Sequence, residues 1–129
     1  RIRMAIVTKN TLNGVKFLIE KANLDSNAFF PVITRDFKHR KPDPKVAQHV
    51  LDIWGLPAST VMFVGDAEED LLCGKDSGCM PILIKDETHN GHLVHNESAT
   101  HVISSIPELL TVIEQNIPCE SDLDEPSVI

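Results

Sequence analysis

Short apolar runs that close on polar residues alternate along this chain with segments whose apolar residues recur every three or four positions. That alternation constrains the fold more than any other feature. Strands linked through helices return to one sheet in parallel, with the helices covering its faces. Met4-Ala5-Ile6-Val7-Thr8 reads as a buried strand, and Val15, Leu18, Ile19 and Ala22 form one stripe of a helix starting near Leu12. Phe29-Phe30-Pro31-Val32-Ile33-Thr34 is a second strand, and Pro31 places it at a sheet edge. Asp43 and Pro44 open a helix whose apolar stripe is Val46, Ala47, Val50, Leu51 and Trp54, and Gly55 ends it. Val61-Met62-Phe63-Val64 is a fully buried strand ending at Gly65-Asp66. A short helix from about Glu69 to Ser77 stops at Gly78. Pro81-Ile82-Leu83-Ile84 and His101-Val102-Ile103 are further strands. Ser105-x-x-Glu108 is a capping box opening a helix with Leu109, Leu110 and Ile113 on its apolar face. The order β-α-β-α-β-α-β-β-α predicts an α/β fold, doubly wound around a mainly parallel Rossmann-like sheet.

Composition narrows the class. A chain of 129 residues holds one domain or part of one, and 42% hydrophobic residues suffice for a core. Met80 to Ile84, among the longest apolar runs, falls far short of the ~20 residues of a membrane span. The net charge of −7 disfavours nucleic acid and anionic membrane as partners. Cys73, Cys79 and Cys119 show no C-x-x-C spacing, which argues against a disulfide framework or structural zinc and fits a reducing, cytoplasmic setting. Residue 1 is Arg. Either Met4 is the start, or the chain is the downstream part of a longer protein.

In a doubly wound sheet, ligands bind beyond the carboxyl ends of the strands. Thr8-Lys9-Asn10 follows the first strand, Gly65-Asp66 the third, and Lys41-Pro42-Asp43-Pro44 precedes a helix start. Asp70 falls one helical turn after Asp66. Two hard carboxylates at that spacing suit Mg²⁺, which keeps several waters. A hydroxyl with neighbouring N–H groups holds phosphate oxygens, and a lysine neutralises them. The implied chemistry is metal-assisted phosphoryl transfer.

The ordered set Val7-Thr8-Lys9-Asn10, Lys41-Pro42-Asp43-Pro44 and Val64-Gly65-Asp66-x-x-x-Asp70 resembles motifs two, three and four of the haloacid dehalogenase-like (HAD) hydrolases. Residues 71–78, ending in glycine, are similar to the family's usual helix after the fourth motif. The resemblance spans roughly residues 3 to 113. It implies that Thr8 bonds the transferring phosphate, with Lys9 and Asn10 on the substrate side. Asn10 stands one place later than in the family's usual hydroxyl-Asn pair. It implies that Lys41 bridges phosphate and nucleophile, and that Asp66 ligates Mg²⁺. Asp70 would act on the metal through water or hold Lys41.

The family's first motif, a strand followed by Asp-x-Asp that carries the nucleophile, has no counterpart before Thr8. Asp122-Leu123-Asp124 has the spacing but lacks a preceding apolar strand, and reads as part of a solvated acidic tail. By resemblance the missing strand is the central one of a sheet ordered 5-4-1-2-3. Its absence would leave the strands around residues 4–8 and 61–65 with unpaired inner edges, open to self-association. The expected organisation is therefore a partial HAD-like core over residues 1–118 and a disordered acidic tail over 119–129. The expected function is a Mg²⁺-dependent phosphatase of small phosphorylated metabolites, with its aspartyl nucleophile upstream and the chain inactive alone. The alternative is a fragment, or partner-complementing half, that binds metal or phosphate without turnover.

Other motifs give way to simpler readings. His89-x-x-His92-x-x-His95 lacks cysteine partners and reads as a polar loop. Cys73 and Cys79 read as small apolar fillers, and Trp54 as core. A phosphoacceptor signalling module would place its acidic pair first and its lysine last, the reverse of the order here.

Overall fold

The computed structural model describes residues 2–116 and 127–129, with the side chain of residue 116 excepted. Its strands are β1 (Met4–Val7), β2 (Phe29–Ile33), β3 (Val61–Gly65), β4 (Met80–Ile84), β5 (His101–Ile103) and β6 (Ser127–Val128). The helices are α1 (Leu12–Lys21), α2 (Lys45–Trp54), α3 (Glu68–Ser77) and α4 (Glu108–Asn116). All strand pairs are parallel, in the order β2-β1-β6-β3-β4-β5. Proline-bearing β2 lies at an edge, as its missing N–H requires.

The two-residue period of the strands separates two cores. Ala5, Ile33, Val61 and Phe63 face Val46, Ala47, Val50 and Leu51 of α2, together with Cys73 and Cys79. Met62 and Ile82 face the other way, onto Leu109, Val112 and Ile113 of α4. Ile6, on that second side of β1, lines a cavity together with Val15 and Ile19 of α1. Trp54 flanks the first core and anchors its indole Nε1–H on Phe30 O at 2.9 Å.

Local chemistry sets the helix ends. Thr11 Oγ1 accepts the Gly14 N–H at 3.0 Å to start α1. Asp43 Oδ1 accepts the Lys45 N–H at 2.9 Å, so the aspartate caps α2 although the helix begins one residue later than Pro44. Gly55 and Gly78 close α2 and α3 at φ +66° and +87°, a conformation that a Cβ disfavours. The capping box before α4 is altered: Glu108 Oε2 accepts from the Ser104 N–H at 3.0 Å, one residue ahead of Ser105. Three stripe residues depart from expectation, since Leu18 is 57% and Leu110 61% exposed and Ala22 is exposed as well. The helix bearing each meets the sheet along a narrower face than its apolar pattern spans.

The larger correction concerns the sheet's middle. The expected unpaired edges of β1 and β3 are bridged by β6: Met4 pairs with Val128, and Val61 and Met62 pair with Ser127 and Val128. Val128 N donates to Arg3 O at 3.0 Å, Ile129 N to Met62 O at 2.8 Å, and Val64 N to Ile129 O at 2.9 Å. Alternation holds even here, with Ile129 in one core and Val128 against the other. Residues 127–129 are therefore ordered structure and not tail. They satisfy backbone groups whose burial unpaired would be costly. Cys119, Asp122-Leu123-Asp124 and the rest of 117–126 lie outside the described residues.

Candidate active site

The carboxyl ends of β1 and β3 carry the polar residues singled out in the sequence, and the loop between β2 and α2 brings Lys41 to them. Lys41 Nζ lies 2.6 Å from Asp70 Oδ1 and donates to Val7 O at 3.3 Å. Both side chains are largely buried, at 14% and 7% exposure, so the pair is held by short contacts in a poorly solvated setting. Asp70 Oδ2 accepts the backbone N–H groups of Asp66 (3.1 Å) and Ala67 (3.0 Å), capping α3 from inside its first turn. Of the two roles the resemblance gives Asp70, the geometry is that of the lysine's partner, with both oxygens engaged. Gly65 makes this possible by its lack of a side chain. A Cβ there would stand 2.3 Å from Asp70 Cγ.

Asp66 is exposed at the tip of β3, and its carboxylate makes no hydrogen bond or ion pair among the described residues. Its backbone is fixed at both polar groups. The N–H is held by Asp70, and the carbonyl accepts from Asn90 Nδ2 at 2.7 Å. Asn90, only 4% exposed, also donates to Ile84 O at 2.9 Å, while its Oδ1 accepts the Asp86 N–H at 2.7 Å. It is a positioning residue that the sequence does not reveal. Asn90 sits inside the loop of His89, His92 and His95, all exposed, as expected of a polar loop.

Thr8 is half-buried at the end of β1. Its N–H donates to Ile33 O at 2.9 Å, and its Oγ1 accepts the Asn10 N–H at 3.1 Å. The hydroxyl hydrogen remains free to be given to an anion. Asn10 is turned inward on its own loop: Oδ1 accepts the Thr11 N–H at 2.8 Å, and the side chain packs where a Gly14 Cβ would fall. Lys9 reaches across to α3, its Nζ 2.9 Å from Glu69 Oε1 and 2.6 Å from Oε2. A narrow cleft is lined by Thr8, Lys9, His39, Arg40 and Lys41. Thr8, Lys41, Asp66 and Asp70 thus gather at one sheet edge, and Lys9 joins them from the rim.

The donor set suits a hard cation with few protein ligands. Asp66 offers one unengaged carboxylate, and among the described residues no group of three or more His, Cys, Asp or Glu could cage a metal. A closed structural site is therefore not built here, whereas a divalent ion that retains most of its waters fits. Among the described residues no helix is long and apolar enough to cross a membrane. Burial pushes the Cys73 thiol up to about 11 and raises that of Cys79, which leaves both as packing groups.

Comparison with known proteins bears on the family and the fold. The family model of the haloacid dehalogenase-like hydrolases matches residues 1–84. An uncharacterized hydrolase of Saccharomyces cerevisiae is 30% identical over 119 residues, 90% of this chain and 54% of that protein. A phosphoglycolate phosphatase of Vibrio cholerae is 29% identical over 111 residues, covering 85% of this chain and 49% of that protein. Among solved structures, a haloacid dehalogenase-like protein of Agrobacterium tumefaciens superposes with TM-score 0.74 at 19% identity, over 86% of this chain and 53% of that one. At such identity the likeness speaks for the fold alone. The chain spans about half the length of these relatives. With motifs two to four on the expected elements and the family model covering most of its length, the chain belongs to the haloacid dehalogenase-like hydrolases.

Proposed function

We propose that this chain supplies the phosphate- and metal-binding half of a Mg²⁺-dependent phosphatase of small phosphorylated metabolites. One observation carries the reading: Lys41 and Asp70 bond at 2.6 Å beside the end of β1, with Thr8 next to them and a free Asp66 carboxylate at the tip of β3. Thr8 Oγ–H donates to a phosphate oxygen. Lys41, oriented by Asp70, neutralises the phosphate and the group that attacks it. Asp66 would hold the Mg²⁺, which offsets phosphate charge when bound. The attacking carboxylate belongs to an Asp-x-Asp segment of a longer protein. It would form an aspartyl-phosphate as the alcohol departs with a proton from the second aspartic acid of that segment, and water would then cleave the acyl phosphate to release phosphate and restore the carboxylate. The phosphoglycolate phosphatases among the relatives favour a short phosphorylated acid as substrate.

Hydrolysis of p-nitrophenyl phosphate by the longer protein tests this reading. Lys41→Ala and Asp66→Ala should each lower the rate at least about a hundredfold. Unchanged turnover in both would refute it.

A second reading is favoured by β6, which occupies the central place in the sheet. In that reading the chain is a catalytically incomplete product that binds phosphate or metal without turnover. Assay of the chain alone separates the two, since measurable hydrolysis by these 129 residues would exclude the second.

A further inference from the structure

We propose that the shallow groove between the loop after β2 and the outer face of α2 binds a small phosphate-type dianion, at a place apart from Thr8 and Lys41. Its occupation ties the loop that carries Lys41 to the helix behind it. The inference goes beyond the phosphatase reading and does not rest on it.

The sequence sets up the charge. Arg35, Lys38, Arg40, Lys41 and Lys45 stand close together, with only Asp36 and Asp43 among them, in a chain whose net charge is −7. A patch of reversed sign on an acidic protein concentrates anions.

The fold then turns part of that charge into a groove. The buried stripe of α2 faces the sheet, while Lys45, Gln48, His49 and Asp52 recur at helical spacing along its outer side. Phe37 holds the loop against this side. Its ring centre lies 4.6 Å from that of His49 on the helix and 5.7 Å from that of His39 on the loop. One imidazole from each wall is thus fixed beside a single aromatic ring, and Lys38 and Lys45 complete the lining.

The cations of the groove lack internal partners. Among the described residues neither Lys38 nor Lys45 has an ion pair or a hydrogen bond through its ammonium. The neighbouring carboxylates are engaged: Asp52 Oδ1 accepts from Gln48 Nε2 at 2.9 Å, and Asp43 caps α2 and stands 3.5 Å from His39 Nδ1. Two ammonium groups and two ring nitrogens therefore remain as donors for a ligand. A metal fits poorly, since among the described residues no group of three or more His, Cys, Asp or Glu could hold one.

Size narrows the ligand. The groove offers about 200 Å³, room for several waters but less than the ~300–1,000 Å³ of sites for drug-sized molecules. A phosphate or the head of a phosphomonoester suits it better than a nucleotide. His39 lines both this groove and the cleft of Thr8 and Lys41, so an anion bridging Lys38 and Lys45 would steady the loop beside Lys41.

Proton NMR of the histidine rings at fixed pH, with inorganic phosphate as the probe, tests the proposal. The signals of His39 and His49, assigned with His39→Gln and His49→Gln, should shift together and saturate. Those of His89, His92, His95 and His101 should stay in place. Chloride at matched ionic strength should move none of them. Lys38→Met combined with Lys45→Met should weaken binding read at His49 at least about tenfold, because two charged donors are lost. Lys16→Met with Lys21→Met, an equal loss of charge on α1, should leave it unchanged. A stationary His49 would overturn the proposal; if His39 alone moves, the anion sits at Thr8 and Lys41, and that reading stands. Equal movement of all six rings, the same shifts with chloride, or equal weakening by the α1 pair would also overturn it, since each marks screening of net charge in place of a site.

Discussion

Lys41 and Asp70 meet at 2.6 Å, yet they depend on one another unequally. Asp70 also accepts two backbone N–H groups, from Asp66 and Ala67. The lysine's other contact is the longer one to Val7 O at 3.3 Å. Removing the aspartate strands a buried ammonium and two N–H donors. Removing the lysine leaves the carboxylate still hydrogen-bonded. Asp70→Ala should therefore cost about 3–5 kcal/mol of folding stability, and Lys41→Met about 1–3 kcal/mol, measured by urea denaturation. Equal losses would show that the backbone bonds contribute nothing.

Gly65 extends the same argument to a position with no side chain. A methyl group there collides with Asp70 along its Cβ–Cγ bond, and the carboxylate must move to admit it. Gly65→Ala should destabilise by about 1–3 kcal/mol and weaken phosphate binding along with it, because Lys41 loses its guide. Isothermal titration with inorganic phosphate beside the denaturation curve reads both effects.

Asn90 is the third support of the site. Asn90→Ala removes three short bonds from a buried position and should cost about 2–3 kcal/mol. Asn90→Asp should be no better, because a carboxylate oxygen would then face the carbonyls of Asp66 and Ile84. Both substitutions should also weaken Mg²⁺ binding, read by a metal titration, since Asp66 loses the anchor on its carbonyl.

The buried thiols set an alkaline limit on stability. Burial holds Cys73 protonated in the folded chain up to about 11, against 9.0 for the free thiol. The contribution is complete below 9 and is lost as pH rises toward 11, because only the unfolded chain releases the proton in that interval. The melting temperature should fall over that range, and Cys73→Ala should flatten the slope. At neutral pH, iodoacetamide should label Cys73 and Cys79 only after denaturation, as peptide mapping would show.

Ile129 closes one core from the middle of the sheet at 7% exposure. Ile129→Asp should dislodge β6, cost about 3 kcal/mol or more, and shift the chain toward dimers or larger species in light scattering as the edges of β1 and β3 open.

The parts of this molecule legible in its sequence are those that repeat. The unbroken apolar run of Val61 to Val64 marked a strand buried on both sides, and the stripe of Val46, Ala47, Val50 and Leu51 marked a helix and the face it buries. Pro31 marked an edge, and Gly55 and Gly78 marked helix ends. Thr8 and Asp66 stand out because strand ends of a parallel sheet concentrate polar groups, and Lys41 and Asp70 because their motifs follow in family order. Leu18, Ala22 and Leu110 are exposed against expectation because an apolar stripe can be wider than the surface it meets. Asn90 left no trace, since its partners stand at Asp66, Ile84 and Asp86 and only chain closure unites them. The two residues of β6 are too few to show a period at all.

The place of β6 also orders events in time. Val128 bonds to Arg3, so the first and last stretches of the chain meet in the centre of the sheet. Contacts between such distant positions are the slowest to form. β1 pairs with β2, and β3 with β4 and then β5, across shorter stretches of chain, so these two ladders can assemble before β6 closes between them.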